Sequence, residues 1–222
     1  MSQSLSPPTT PLDAAEIQQN RGNGKTGQVS PPHPLRFTVA DYHRLTALGF
    51  LQEDDRVELV RGELIQMAAK GVRHEFCLRR LLRQLPKLLG DGVTLQCQAP
   101  VTLAFDGEPE PDFAILRNRE DDYATSHPTA ADVLWAIEIA DSSVEYDQTM
   151  KRLLYAEAEI PHYWIFNLMD RRLECYSEPG NVGETMDYCD RRLIASDQSA
   201  VLPKLFSDTD QEVRLELHPY FS

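Results

Sequence analysis

The segment Val133-Leu134-Trp135-Ala136-Ile137-Glu138-Ile139-Ala140 constrains this chain more than any other. It is the most apolar run, it has strand length, and its one charge is Glu138. A helix is predicted over Asp147 to Glu159 and the next strand over Tyr163 to Asn167. That order is a β-α-β crossover, which favours a parallel strand pair with a right-handed connection. Alternation puts Val133, Trp135, Ile137 and Ile139 on one face and Leu134, Ala136, Glu138 and Ala140 on the other. Glu138 therefore shares a face with Leu and Ala. An ionised carboxylate there needs a cation, a metal or a proton, because burying it unpaired is costly. Pairing with a nearby Arg at the strand end is the bland alternative.

The flanking pattern extends the sheet. Thr38 with Asp41 suggests an N-cap, followed by a helical stripe of Val39, Tyr42, Leu45 and Leu48 that ends at Gly49. Val57 to Val60 and Leu64 to Ala68 flank Arg61-Gly62, the signature of a tight hairpin. A longer helix is expected from His74 to Leu89 with Phe76, Leu81, Leu82, Leu85 and Leu88 on its apolar face, shortened or bent by Pro86. Strands are expected at Val93 to Gln98, Val101 to Phe105, Phe113 to Leu116 and, as a hairpin partner of Tyr163 to Asn167, at Leu173 to Ser177. Shorter ones are expected near Arg191 to Ile194 and Glu212 to Leu217. The fold class is thus α/β, with a mixed central sheet flanked by helices. Residues 1–34, rich in Ser, Pro, Thr, Gln, Asn and Gly, read as a disordered tail, leaving 35–222 as one domain.

Two further residues converge on Glu138 in principle. Glu108-Pro109-Glu110-Pro111-Asp112 leads straight into Phe113-Ala114-Ile115-Leu116, so prolines stiffen the approach and Asp112 stands at a strand start. Two carboxylates on neighbouring strands suit Mg²⁺, a hard cation that takes oxygen ligands and keeps several waters. Lys151 lies one helical turn before the core-facing Leu154 and Tyr155, so a helix packed back on its strand could bring the ammonium towards Glu138. The bland readings are a turn acid in water and a solvated lysine. Arg79, Arg83 and Lys87, with Arg80 adjacent, recur at helical spacing. They form either a phosphate-facing stripe or a solvated helix face.

Several classes are set aside. Gly24-Lys25-Thr26 lacks the upstream Gly and the preceding strand of a phosphate loop, and His74-Glu75 is followed by Leu78 where a zinc protease needs His. Cys77, Cys97, Cys175 and Cys189 have no metal or redox spacing. No apolar run approaches a membrane span and no export signal is readable, so a cytoplasmic protein without a membrane partner is expected. The net charge of −13 argues against tight non-specific DNA binding, which draws on Lys and Arg.

Glu110-Pro111-Asp112, Ile137-Glu138-Ile139-Ala140-Asp141-Ser142-Ser143, Tyr146-Asp147 and Lys151 resemble the Uma-two family of endonucleases. Leu154-Tyr155-Ala156-Glu157-Ala158, Ile160-Pro161-His162-Tyr163-Trp164-Ile165 and Val57-Glu58-Leu59-Val60-Arg61-Gly62-Glu63-Leu64 are similar to it as well. The resemblance spans roughly Phe37 to Ser177. It implies the restriction-endonuclease-like fold of the PD-(D/E)xK superfamily, metal-dependent cleavage of phosphodiesters, DNA as substrate and a homodimer. On that reading Asp112 and Glu138 hold Mg²⁺, with Mn²⁺ as a substitute, and Glu58 completes the metal shell. Lys151 orients or deprotonates the water, and His74 contacts phosphate or a metal-bound water or simply caps its helix. The motif's lysine position, two residues after Glu138, is Ala140, so the following helix must supply the amine. A catalytically inactive module of the same fold, or a metal-dependent hydrolase acting on another substrate, fits the acidic balance better than a tight DNA binder.

Overall fold

The computed structural model describes residues 33–52, 55–104, 106–205 and 212–221. The expected tail, 1–34, lies almost wholly outside them. Contacts divide the chain after Leu35, and the architecture below belongs to the unit that begins at Arg36.

The elements run α1 (Val39–Ala47), β1 (Val57–Val60), β2 (Glu63–Gln66), α2 (Val72–Leu89), β3 (Val93–Cys97), β4 (Phe113–Arg117) and β5 (Val133–Ala140). Then come α3 (Val144–Tyr146), a π-helical turn (Asp147–Lys151), α4 (Arg152–Glu157), β6 (His162–Asn167), β7 (Arg172–Val182), β8 (Thr185–Ala195), β9 (Ser199–Val201) and β10 (Arg214–Glu216). Strands β3 to β8 form one sheet in chain order. Only β5 and β6 are parallel; the other neighbours are antiparallel. The mixed sheet and its crossover match expectation, because β5 needs a helix to return the chain alongside itself.

From Trp135 onward, alternation along β5 separates two apolar layers; Val133, expected beside Trp135, packs in the opposite layer because the β4–β5 register shifts where it pairs with Leu116. Trp135, Ile137 and Ile139 join Phe113, Ile115, Trp164 and Phe166 beneath α2. Ala136 and Ala140 join Ala114, Leu116 and Ile165 beneath Leu154, Tyr155 and Ala156 of α4. Glu138 therefore points into the α4 side. All eight residues of β5 are buried, as a central strand covered on both faces must be.

Several local details differ from the sequence pattern. Helix α2 starts earlier and runs past Pro86 to Leu89, where Gly90, at φ 64°, ends it by donating its N–H to the Pro86 carbonyl. Its inward face is His74, Cys77, Leu78, Leu81 and Leu85, whereas Leu82 stands in solvent. The spacing of i, i+3, i+4, i+7 and i+11 places that stripe one position away from Leu82. Val101 to Ala104 is not a strand: Val101 and Leu103 are buried, but their N–H groups bond to Pro109 and Gly107 in a folded-back loop. Phe105 lies outside the described residues. Strands β7 and β8 are much longer than expected because the hairpin continues into solvent, where side-chain periodicity is weak. The β1–β2 turn is as predicted, with Arg61 and Gly62 both at positive φ. A Cβ on Gly62 would meet the Arg36 Cβ at 2.7 Å, so only glycine fits.

One buried carboxylate ties the hairpin to the crossover. Glu174 of β7, fully enclosed, accepts hydrogen bonds from Asn167, Gln148, Arg172, Tyr176 and Arg191. Burial alone would raise its pKa, but these donors more than offset that and hold it below the usual range. Gln148 lies in the π turn, so the network fixes that turn against the sheet.

The two faces of α2 make a direct test. Leu81→Ala should lower the free energy of unfolding by about 2–5 kcal/mol in urea titration, as cavity formation does. Leu82→Ala should change it by less than about 0.5 kcal/mol. Equal losses would mean that the helix is rotated from the orientation described.

Candidate active site

The five residues proposed from sequence meet in one pocket. Glu58 comes from β1, His74 from the first turn of α2, Asp112 from the residue before β4, Glu138 from β5, and Lys151 from the end of the π turn. All five are buried. The pairing of Phe113 with Ile137 explains how Asp112 reaches Glu138: antiparallel register sets the two acids side by side across the ladder. The Asp112 N–H donates to Glu138 Oε2 at 3.3 Å, and the Ile139 N–H donates to Asp112 Oδ2 at 2.9 Å.

Lys151 is the centre of the arrangement. Its Nζ donates to Glu138 Oε1 at 2.9 Å and to Glu58 Oε1 at 3.2 Å. Glu58 Oε2 also lies 3.1 Å from Nζ, but off the hydrogen-bonding direction, so this oxygen has charge contact and no hydrogen bond. Tyr155 adds a hydroxyl donor to Glu138 Oε1 at 2.9 Å. His74 turns inward, with Nε2 at 2.9 Å from Asp112 Oδ2, and its Nδ1 is buried without a partner.

Sequence reasoning quoted Asp147 among the family-like motifs but gave it no role; it is as buried as the other acids and lines the same pocket. Ser143 donates to Asp147 Oδ2 at 2.6 Å. The signal was present: Ser143, Asp147 and Lys151 recur every four residues and so share one helical face. What the sequence does not disclose is the π turn between the last two, in which the Arg152 N–H reaches back to Asp147. Such turns often mark functional sites because they redirect side chains within a helix. Gln98, which donates to Asp112 Oδ1 at 3.0 Å, and Lys70, with Nζ 3.7 Å from that oxygen, were missed too. Lys70 lies outside the periodic segments, and Gln98, expected as the last residue of a strand, falls just past its end at φ 49°, where strand alternation no longer sets direction. Asp141 pairs with Arg73 at the pocket edge.

Four buried acids share one buried ammonium, and the charge imbalance appears in their proton affinities. Burial, only partly offset by Lys151 and reinforced by Asp147, Asp112 and Glu58, pushes Glu138 up to about 8. Burial also raises Asp147, to about 6, against the pull of Lys151 and the Ser143 hydrogen bond. For Asp112, burial is outweighed by His74, Gln98 and the Ile139 N–H, so it is held below its usual value. Burial alone would lower Lys151, but Glu138, Glu58 and Asp147 hold it well above the ordinary lysine range.

A divalent cation fits this donor set. Among the described residues, no three His, Cys, Asp or Glu side chains already form a ready-made metal cage. Mg²⁺ does not need one, since it is usually held by one or two carboxylates and retains water. The unbonded Glu58 oxygen and the surplus of anionic oxygens are what such an ion would neutralise.

A six-stranded mixed sheet between helices, with acids gathered where β4 meets the central β5, defines a restriction-endonuclease-like domain. The fold is similar to the crystal structure of a "putative nuclease belonging to DUF820" from Anabaena variabilis ATCC 29413, with a TM-score of 0.64. That match covers 83% of this chain and 97% of the other at 14% identity, a level that bears on fold alone. Residues 39–210 match the Uma2 family profile, described as "Putative restriction endonuclease", and the chain belongs to that family. No curated protein matches the sequence. Family and fold together support a nuclease. No helix among the described residues is long and apolar enough to cross a membrane.

The raised acids set the sign of the pH dependence. Between the unfolded and folded pKa values of Glu138 and Asp147 the native state binds more protons than the unfolded state, so stability falls as pH rises. Their favourable contribution is complete below about pH 4 and is lost as pH passes through about 6 and then about 8. In chelator, urea titrations from about pH 5 to about pH 9 should show declining stability, with a flatter profile in Glu138→Gln. A profile that rises over that range would refute the charge imbalance.

Proposed function

We propose that this chain is a metal-dependent endonuclease that hydrolyses nucleic-acid phosphodiester bonds, with DNA as its substrate. The observation that carries the proposal is a fully buried lysine held between Glu58 and Glu138 while Asp112 and Asp147 face the same pocket. Replacing buried ion pairs by apolar residues is often neutral or stabilising, so a cluster with surplus charge is poorly explained by stability alone.

Asp112 and Glu138 would hold Mg²⁺, or Mn²⁺ in its place, and Glu58 would complete the shell directly or through water. When bound, the ion supplies water activation and neutralises charge on the cleaved phosphate. His74 fixes the Asp112 carboxylate through Oδ2, and Gln98 fixes it through Oδ1, so the ligand is oriented before substrate arrives. Lys151 acts as a permanent donor. Held well above the ordinary lysine range, its ammonium orients water and stabilises developing negative charge, and it is poorly suited to be the base. The motif lysine missing at Ala140 is thus supplied from the helix that follows. Asp147, raised to about 6, has a proton affinity suited to accepting a proton near neutral pH.

The test is cleavage of supercoiled, linear and single-stranded DNA and of RNA, with Mg²⁺ or Mn²⁺. Asp112→Asn and Glu138→Gln should each lower the rate by at least about a hundredfold. Lys151→Met should cost about 10²–10³-fold, comparable to removing an oxyanion donor. Wild-type protein with no cleavage of any substrate, or cleavage undiminished in both acid variants, would overturn the proposal. Nucleic-acid binding without cleavage would instead identify an inactive module of this fold.

A further inference from the structure

We propose that one flank of α2 is a phosphate track that carries a strand of the nucleic-acid substrate away from the catalytic pocket. This rests on the nuclease reading above and adds the surface by which a chain of net charge −13 would hold a polyanion.

Arg73, Arg80 and Lys87 are seven residues apart, two helical turns at a time, so they align along one flank of α2. At about 1.5 Å per residue the row is about 21 Å long, the axial distance over which one strand of B-DNA presents about six phosphates. The near end of the row touches the active site, because Arg73 pairs with Asp141, which lines the catalytic pocket. Beyond it, Arg73 and Arg171 edge a hollow backed by Tyr220 and Phe221. Tyr220 also backs a groove of about 540 Å³ lined by Arg80, Arg83, Lys87 and Arg214, with Glu216 as its single acid. The hollows therefore follow one another along the helix.

Among the described residues, three of the four cations lining this groove are not consumed by internal ion pairs. Arg73, Arg79 and Arg214 have carboxylate partners, in Asp141, Glu75 and Glu212. Among the described residues, Arg80, Arg83, Lys87 and Arg171 form no ion pair. Arg80 sits 4.8 Å from the Phe76 ring centroid, and its buried Nε has no hydrogen-bond partner. In a chain with 35 acidic residues against 22 basic ones, three unpaired cations lining one groove make a local positive field that an external anion would meet. A sugar-phosphate backbone matches both the charge and the linear spacing.

Anisotropy of a labelled DNA duplex, measured in chelator so that cleavage does not intervene, tests this on the full chain. The triple variant Arg80→Gln, Arg83→Gln, Lys87→Gln should raise Kd at least about tenfold at low salt and reduce the slope of log K against log salt by about two to three. The charge-retaining variant Arg80→Lys, Arg83→Lys should bind close to wild type. Removing as many charges elsewhere, with Arg44→Gln, Arg117→Gln and Arg192→Gln, should have a much smaller effect. Thermal unfolding of each variant excludes misfolding at these surface positions. Equal weakening by both triples, unchanged binding in the track variant, or no duplex binding by wild-type protein would overturn the track. Cleavage that depends on Asp112 with unchanged binding in the track variant would remove the track and leave the nuclease. Lost binding in the track variant, with no cleavage by any protein, would keep the track and remove the nuclease.

Discussion

The structure around the pocket depends on a single ammonium taken out of water. Lys151 is 1% exposed, and its charge is compensated by two carboxylates from elements distant in sequence. Glu58 arrives on the β1–β2 hairpin, Glu138 on the central strand, and Lys151 at the end of the π turn, so one cation fastens three parts of the fold together. Breaking such a pair by removing one partner typically costs about 3–5 kcal/mol, because the other charge stays buried. The surrounding donors serve the same arrangement. Tyr155 secures Glu138, His74 and Gln98 secure Asp112, and the Glu174 network secures the turn that presents Lys151.

That compensation is incomplete, and the shortfall is the informative part. One buried lysine faces four buried acids, so Glu138 and Asp147 hold protons more tightly than free carboxyls do. A site tuned only for stability would have fewer acids or more donors. A site tuned to receive a divalent ion needs spare anionic oxygen that is already positioned and not already bonded. Outside the pocket the charge is distributed differently. The chain is acidic as a whole, yet the flank of α2 beside the pocket carries unpaired arginines and a lysine. Net charge alone would misjudge what this surface can meet, since only the local field acts on a phosphate.

Much of this was legible in the sequence. The apolar run with one acid identified β5, and the β-α-β order identified its parallel neighbour. Lys151 was placed near Glu138 because Leu154 and Tyr155, one turn later, had to face the core. Asp112 followed from the prolines before β4. Other features were not legible, for physical reasons. A π turn depends on backbone bonds that leave no side-chain signature, so the helix expected from Asp147 gave no direction for that side chain. Gln98, at φ 49°, lies at the end of β3, and the direction of its side chain is set by that local backbone rather than by periodicity. The stripe on α2 shares Leu81 and Leu85 with the expected one but takes in Leu78 and leaves Leu82 in solvent, because Leu is abundant on both sides of that helix. The Val101 segment has the composition of a strand, but the chain folds back at Gly107 and leaves it only isolated bridges, to Thr129 and Gly107, instead of a continuous ladder.

The central claim is that the surplus acids are a divalent-ion site, and proton release on metal binding tests it most directly. Because ligands must be deprotonated, Mg²⁺ or Mn²⁺ entering this pocket near pH 7 should displace protons from the carboxyls with raised pKa. Calorimetric titration in two buffers of different ionisation enthalpy reports that number. The account predicts binding that releases protons and that weakens at least about tenfold in Asp112→Asn and Glu138→Gln. Binding with no proton release and no dependence on either acid, or no binding at all, would contradict it.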